Sequence, residues 1–242
     1  MSAFPTIVRT LAGVAAIPLL AAQLPDLSSD EIGRRISRTE AARLANLPQY
    51  TVVRKYTLHN THMSDPAEMT VRLTYQKGAG KTFEIVKVKN ASGITKHVME
   101  KIISGEADSS HKRNSDLYIT TANYDFKLLG TATLNGKPCY VVQLLPKRKS
   151  KLLLDGKAYI DSVDFGILRI EGRPSASLSF WVGKPYIVQD FEKVGGFYMA
   201  SHNQSFSKSH LLGSTTLTID YSDYDMPALA AERVASHHET VD

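Results

Sequence analysis

NYDFKLLGTATLNGKPCYVVQLLPKRKSKLLLDGKAYIDSVDFGILRIEG, residues 123–172, reads as strand, tight turn, strand, basic link, strand, short turn, strand. Asn135-Gly136 sits between two β-rich runs. An Asn-Gly pair in that setting is the strongest short-range hairpin signal, because both residues accept the positive φ of a two-residue turn. The stretch contains no catalytic constellation. It therefore sets the fold before it says anything about chemistry.

More sheet is expected on either side. Toward the C-terminus, Pro185 to Lys193 and Phe197 to His202 form a hairpin around Val194-Gly195-Gly196, and Asn203 to Lys208 continues the sheet. Ser214 to Tyr221 alternates, with Leu217, Ile219 and Tyr221 on one face and Thr216, Thr218 and Asp220 on the other. Toward the N-terminus, Tyr50 to Leu58 is β-rich. Glu68 to Gln76 alternates with Met69, Val71, Leu73 and Tyr75 inward, and Lys77 to Gly80 turns the chain into Lys81 to Lys89. A period of two marks a sheet with one apolar and one wet face.

Two segments switch to helical spacing. Ser28 or Ser29 caps the first, Asp30 and Glu31 fall in its first turn, Ile32 and Ile36 lie one turn apart, and Pro48 ends it. The second spans Gly93 to Gly105, with Ile94, Val98 and Ile102 four apart, and a polar loop is expected from Glu106 to Ser115. Arg173 to Gly183 reads as an irregular connection holding the only tryptophan, Trp181. The fold class is mainly β: a single curved antiparallel sheet of about eleven strands, forming a half-open, incomplete barrel with helices covering its concave face. One domain over residues 23–224 is expected, with a flexible tail at 225–242.

Of the 242 residues, 43% are hydrophobic and 22% charged, an ordinary globular composition, and the net charge of +5 falls short of a nucleic-acid signature. Arg9 followed by the short apolar run Leu11 to Ala22 reads as a signal peptide over 1–22, cleaved near Ala22, which places the mature chain in the periplasm. No cysteine near the cut supplies a lipobox. The single cysteine, Cys139, lies in the apolar run PCYVV, so it reads as a buried inert thiol and an intramolecular disulfide is impossible.

Each pattern that could carry chemistry has a plainer reading. GAGKT, Gly78 to Thr82, ends like a phosphate-binding loop, but Tyr75 stands where the first glycine belongs and a strand follows. His59 and His62 lack a complete ligand set, with Asp65 as the only further candidate. Asp155, Asp161, Asp164 and Glu171 fit turns better than a glycosidase pair, and no GxSxG elbow exists. Asn90-Ala91-Ser92 and Asn203-Gln204-Ser205 match the N-glycosylation pattern. PKRKSK, Pro146 to Lys151, has no interleaved aromatics for stacking on nucleic acid. Lys147, Arg148 and Lys149 there are candidates for contact with an anionic headgroup or membrane, against the default of a solvated edge guard. No enzyme activity, cofactor or metal is expected.

The block LLGTATLNGKPCYVVQLLPK, then DGKAYID, LRIEG and IDYSDY, resembles the LolA/LolB-like family of periplasmic lipoprotein-sorting carriers, with its RseB-type and LppX-like relatives. The similarity is strongest from Asn123 to Tyr224. Tyr159 stands where relatives often have tryptophan. The resemblance implies a half-open curved sheet with helices in its mouth and a concave face that holds acyl chains of a lipoprotein or lipid. Burial gains about 0.8 kcal/mol per methylene, so an apolar face suffices without a reactive group. Met69, Val71, Leu73, Tyr75, Phe126, Leu128, Val141, Leu217 and Ile219 are the candidate acyl-chain lining, the alternative being that they pack against the helices as closed core. A soluble exported carrier that moves lipid or lipoprotein acyl chains between membrane donors and acceptors is the leading expectation. The rival is a signalling or scaffold module that binds a protein partner through a groove or sheet edge, as RseB-type proteins do.

Overall fold

In a computed structural model of the chain, residues 24–111, 118–178, 184–209 and 213–227 are described. The expected leader at 1–22, Trp181 and the tail beyond residue 227 lie outside the described residues. The elements are α1 (Ser29–Asn46), β1 (Tyr50–Asn60), β2 (Ala67–Gln76), β3 (Gly80–Lys89), α2 (Gly93–His111), β4 (Tyr124–Leu134), β5 (Lys137–Pro146), β6 (Leu154–Asp161), β7 (Ile167–Pro174), β8 (Tyr186–Val194), β9 (Phe197–Ser209) and β10 (Gly213–Asp225). All ten described strands form one antiparallel sheet in the order β3-β2-β1-β10-β9-β8-β7-β6-β5-β4. The sheet has ten strands rather than about eleven, because β9 runs unbroken from Phe197 to Ser209. Its ends, β3 and β4, are not paired to each other, so the half-barrel stays open.

The hairpins close as their turn residues require. Asn135 and Gly136 have φ of 50° and 77° between the paired Leu134 and Lys137. Gly195 and Gly196, at 57° and 87°, do the same between Val194 and Phe197. Two successive positive φ values give a turn whose twist matches that of the strands.

Register carries one face across the entire sheet. Leu128, Val142, Ala158, Ile170, Gln189, Asn203, Ile219, Tyr56, Met69 and Val88 are successive cross-strand partners from β4 to β3. Both helices pack on this face. Ile32 and Ile36 of α1 are buried with Tyr140, Val142, Leu144, Ala158 and Ile160, while Met99 and Ile103 of α2 are buried with Tyr56, Met69, Val71 and Ile219. A third cluster joins Leu47, Tyr50, Val52, Leu73 and Met199 to Met226. Met226 thus belongs to the core. On the opposite face, ions and hydrogen bonds cross the strands: Arg169 Nη2 to Asp190 at 3.1 Å, His202 to Asp220 at 2.7 Å, and Lys55 to Glu68 at 2.7 Å.

α1 begins where the sequence says it should. Ser28 Oγ accepts the Glu31 amide at 3.2 Å, Glu31 pairs with Arg34 and Arg35, and Pro48 follows the closing Leu47 N–H to Arg43 carbonyl bond. The helix then bridges distant strands. Ser29 Oγ accepts the Leu128 amide of β4 at 3.0 Å, Thr39 donates to the Asp164 carbonyl in the β6–β7 turn at 2.9 Å, and Lys77 of the β2–β3 turn donates to the Ala45 carbonyl at 2.6 Å. In a flat sheet, eight strand spacings would put β2 roughly 38 Å from β4, whereas Ser29 and Ala45 are roughly 24 Å apart along the helix. The sheet must curl for one helix to touch both.

α2 continues to His111, through the polar stretch expected to be a loop. Its extension is held by Glu106, which pairs with β1 and β3 as described below.

Close approach of α1 to β4 depends on Gly33, where an added Cβ would lie 2.8 Å from Phe126 Cδ2. Gly33→Leu should therefore lower stability in urea denaturation by about 1–3 kcal/mol, the usual cost of overpacking. Gly33→Ala should cost less in a Phe126→Leu background than alone, since the ring that crowds it is gone.

Candidate ligand-binding site

Between α1 and strands β7, β8 and β9 lies a cavity of about 480 Å³, within the roughly 300–1,000 Å³ range of small-molecule sites. Its apolar wall is Ile36 of α1, Ile119, and Ile167, Ile170, Phe191 and Phe197 of the sheet. α1 presents Ile36, Glu40 and Arg43 to it at helical spacing, and the Glu40–Arg43 ion pair closes one side. Burial is the largest influence and works against the Arg43 charge, but the hydrogen bonds it donates to Glu40 and the attraction of that carboxylate together outweigh it, and its pKa rises. Tyr198 forms another wall, packed on Gly166, where an added Cβ would lie 2.0 Å from the ring. Its hydroxyl lies 2.9 Å from Asp161 and 2.7 Å from Asp164. Burial and those two carboxylates push the phenol well above its ordinary value, so it stays neutral. Phe165 adopts a φ of 58°, uncommon for a bulky residue, with its ring stacked on Tyr140 at 5.9 Å and under the Arg35 guanidinium at 4.8 Å.

None of the nine candidate lining residues borders this cavity. Phe126 and Leu128 lie beside it in the α1 cluster, on the face of Leu144 and Val142. Met69, Val71, Leu217 and Ile219 are packed in the α2 cluster, and Leu73 and Tyr75 in the third. Val141 falls on the other face, since its neighbours Tyr140 and Val142 are both in the α1 cluster. A bulge between Leu128 and Gly130 shifts the β4–β5 pairing beyond that point. In the basic link, Lys147 reaches Asp125 at 3.3 Å and the Thr121 carbonyl at 2.7 Å, while Arg148 donates to Asn123 at 2.6 Å. Lys149 is exposed. Among the described residues no group of three His, Cys, Asp or Glu side chains could hold a metal ion, and His62 is in a turn whose amide is held by Asn60.

A second feature escaped the reading of the sequence. Arg54, 5% exposed, points into the apolar face from β1 and pairs with Glu106 of α2 at 2.7 Å; Lys81 of β3 reaches the same carboxylate at 2.7 Å. The Arg54 guanidinium also lies 4.8 Å from the Tyr221 ring centre. Burial alone would raise the Glu106 carboxyl, but Lys81 and Arg54 outweigh it and bring it to about 2. The signal was present: in YTVVRKYTL, Arg54 shares its frame with Tyr50, Val52, Tyr56 and Leu58.

No family model matches the chain, and no curated protein matches it. Solved structures similar to it include a DUF1329 family protein from Desulfovibrio piger, at 12% identity over 83% of this chain and 93% of that one, with a TM-score of 0.48. A domain described as an outer membrane lipoprotein-sorting protein from Vibrio parahaemolyticus is similar at 13% identity, over 82% and 93%, with a TM-score of 0.48. The LolA superfamily protein NE2245 from Nitrosomonas europaea is similar at 12% identity, over 83% and 94%, with a TM-score of 0.46.

Because the folded state holds Glu106 at about 2, below its ordinary 4.5, it binds fewer protons than the unfolded chain between those values. The stabilisation is full above pH 4.5 and drains as pH falls toward 2. Glu106→Ala should destabilise the protein at neutral pH by about 3–5 kcal/mol, leaving Arg54 buried without its anion. It should also flatten the acid limb of a stability–pH profile measured by urea denaturation.

Proposed function

We propose that the chain is an exported, non-enzymatic carrier that binds an acyl chain of a lipid or lipoprotein between α1 and the sheet. The observation that carries this reading is the cavity of about 480 Å³ walled by Ile36, Ile119, Ile167, Ile170, Phe191 and Phe197. An apolar chain needs such a wall and no reactive group, because removing methylenes from water supplies the affinity. The export expected from residues 1–22 gives the carrier access to membranes as donors and acceptors. The face under α2, with Met69, Val71, Leu217 and Ile219, is a second apolar basin whose use requires α2 to lift. The Arg54–Glu106–Lys81 cluster holds it down. Contact with anionic headgroups through Lys147, Arg148 and Lys149 belongs to the same reading, with Lys149 as the exposed end of that link.

Native mass spectrometry of protein purified from the exported fraction should find bound lipid, and lipids should displace a fluorescent fatty acid from it. Ile170→Trp, which fills the cavity, should weaken binding at least tenfold, roughly 1.4 kcal/mol, with the circular dichroism spectrum unchanged. Finding no bound lipid together with no displacement would refute the carrier, and co-purification of one stoichiometric protein would favour a partner-binding module instead.

A further inference from the structure

Two adjacent rows of the inward face, beside the row that holds Arg54, are apolar with one interruption. In the row from Leu128 to Val88, the adjacent partners Gln189 and Asn203 are amides. In the row above, Leu144, Gly156, Gly172, Ile187, Ser205, Leu217 and Leu58 succeed one another, and Ser205 is the polar member. This polar island occupies β8 and β9, between the cluster under α1 and the cluster under α2. All three residues are half-buried. The island adjoins the cavity, because Ile170, a cavity wall, is the cross-strand partner of Gln189.

The island has a defined internal order. Gln189 Nε2 donates to the Asp190 and His202 carbonyls, each at 3.0 Å, at the point where a bulge shifts the β8–β9 register. Its Oε1 accepts from Asn203 Nδ2 at 2.8 Å. Gln189 is therefore spent on the backbone, and it orients Asn203. An amide carries two N–H donors and an acceptor oxygen, so Asn203 retains hydrogen-bonding capacity after that contact, beside the Ser205 hydroxyl. No charged residue lies in either row. The cations that border the face, Arg43 and Arg54, are each held by a carboxylate, Glu40 and Glu106.

We propose that Asn203 and Ser205, ordered by Gln189, seat the neutral ester or amide carbonyl of a single-chain lipid whose tail fills the cavity under α1. The proposal rests on the carrier reading and specifies its cargo. Neutral donors satisfy a carbonyl oxygen. A free carboxylate at the same place would lose water without gaining a cation, which penalises it. The seat thus discriminates between an esterified chain and a free fatty acid of equal length.

Displacement of a fluorescent fatty acid at neutral pH, with monopalmitoylglycerol and palmitate as competitors, tests this on the full chain. The ester should bind about tenfold more tightly than the acid. Asn203→Leu should remove most of that preference by weakening the ester and leave palmitate within about twofold. Ser205→Ala, the smaller change, should move the preference the same way if the leucine variant does not fold. Equal binding of ester and acid by the wild type, or an unchanged preference in a folded variant, would overturn the seat and leave the carrier standing. Binding of neither competitor would overturn the carrier reading and the seat with it.

Discussion

α1 is shorter than the arc it spans, and the remainder of the molecule follows from that mismatch. Among the described residues the antiparallel sheet of ten strands is open, with β3 and β4 at its ends not paired to each other. Anchoring one end of α1 at Leu128 and the other at the β2–β3 turn fixes the distance between remote strands. Gly33 lets the helix approach Phe126 closely, and Thr39 ties its middle to the β6–β7 turn. A helix held at both ends and the middle need not fill the hollow beneath it, and the cavity is the space it leaves.

The two helices are retained by different physics. α1 relies on Ile32 and Ile36 in the largest core cluster, with hydrogen bonds to backbone at its ends. α2 has the buried Met99 and Ile103, but its distal half depends on charge. A buried Arg–Glu contact is costly to desolvate, and it tells more about which arrangement is specified than about net stability. Here the anion is shared between β1 and β3, so α2 is docked in one register on the sheet. Along α2, Val98, Ile102 and Glu106 succeed one another at four-residue spacing. Val98 and Ile102 are exposed, while the adjacent Met99 and Ile103 are buried against the sheet.

Local signals in the sequence were legible and distant ones were not. The Asn135-Gly136 turn, the alternation of β2 and the limits of α1 at Ser28 and Pro48 each depend on a few neighbouring residues. The end of α2 depends on a partner 52 residues away, so its polar last turns resemble a loop. The run PCYVVQLL offers two possible inward frames, and only the packing of Tyr140, Val142 and Leu144 under α1 shows that Val142, not Val141, faces the helix. The cavity was the least legible part. Its wall is assembled from α1, Ile119, the β6–β7 turn and β7 to β9, which no periodicity connects. Arg54 was readable as a cation in an inward frame, and alternation alone could have singled it out.

The arrangement of helix and sheet is that of a string and a bow. A string sets the draw of a bow by its length, whatever the bow is made of. The volume beneath α1 is in the same way governed by how many residues separate Ser29 from Ala45, as well as by the side chains on the wall. Two chains with the same wall and helices differing by one turn would enclose different hollows, because about 5.4 Å of string changes the curvature of every strand it spans.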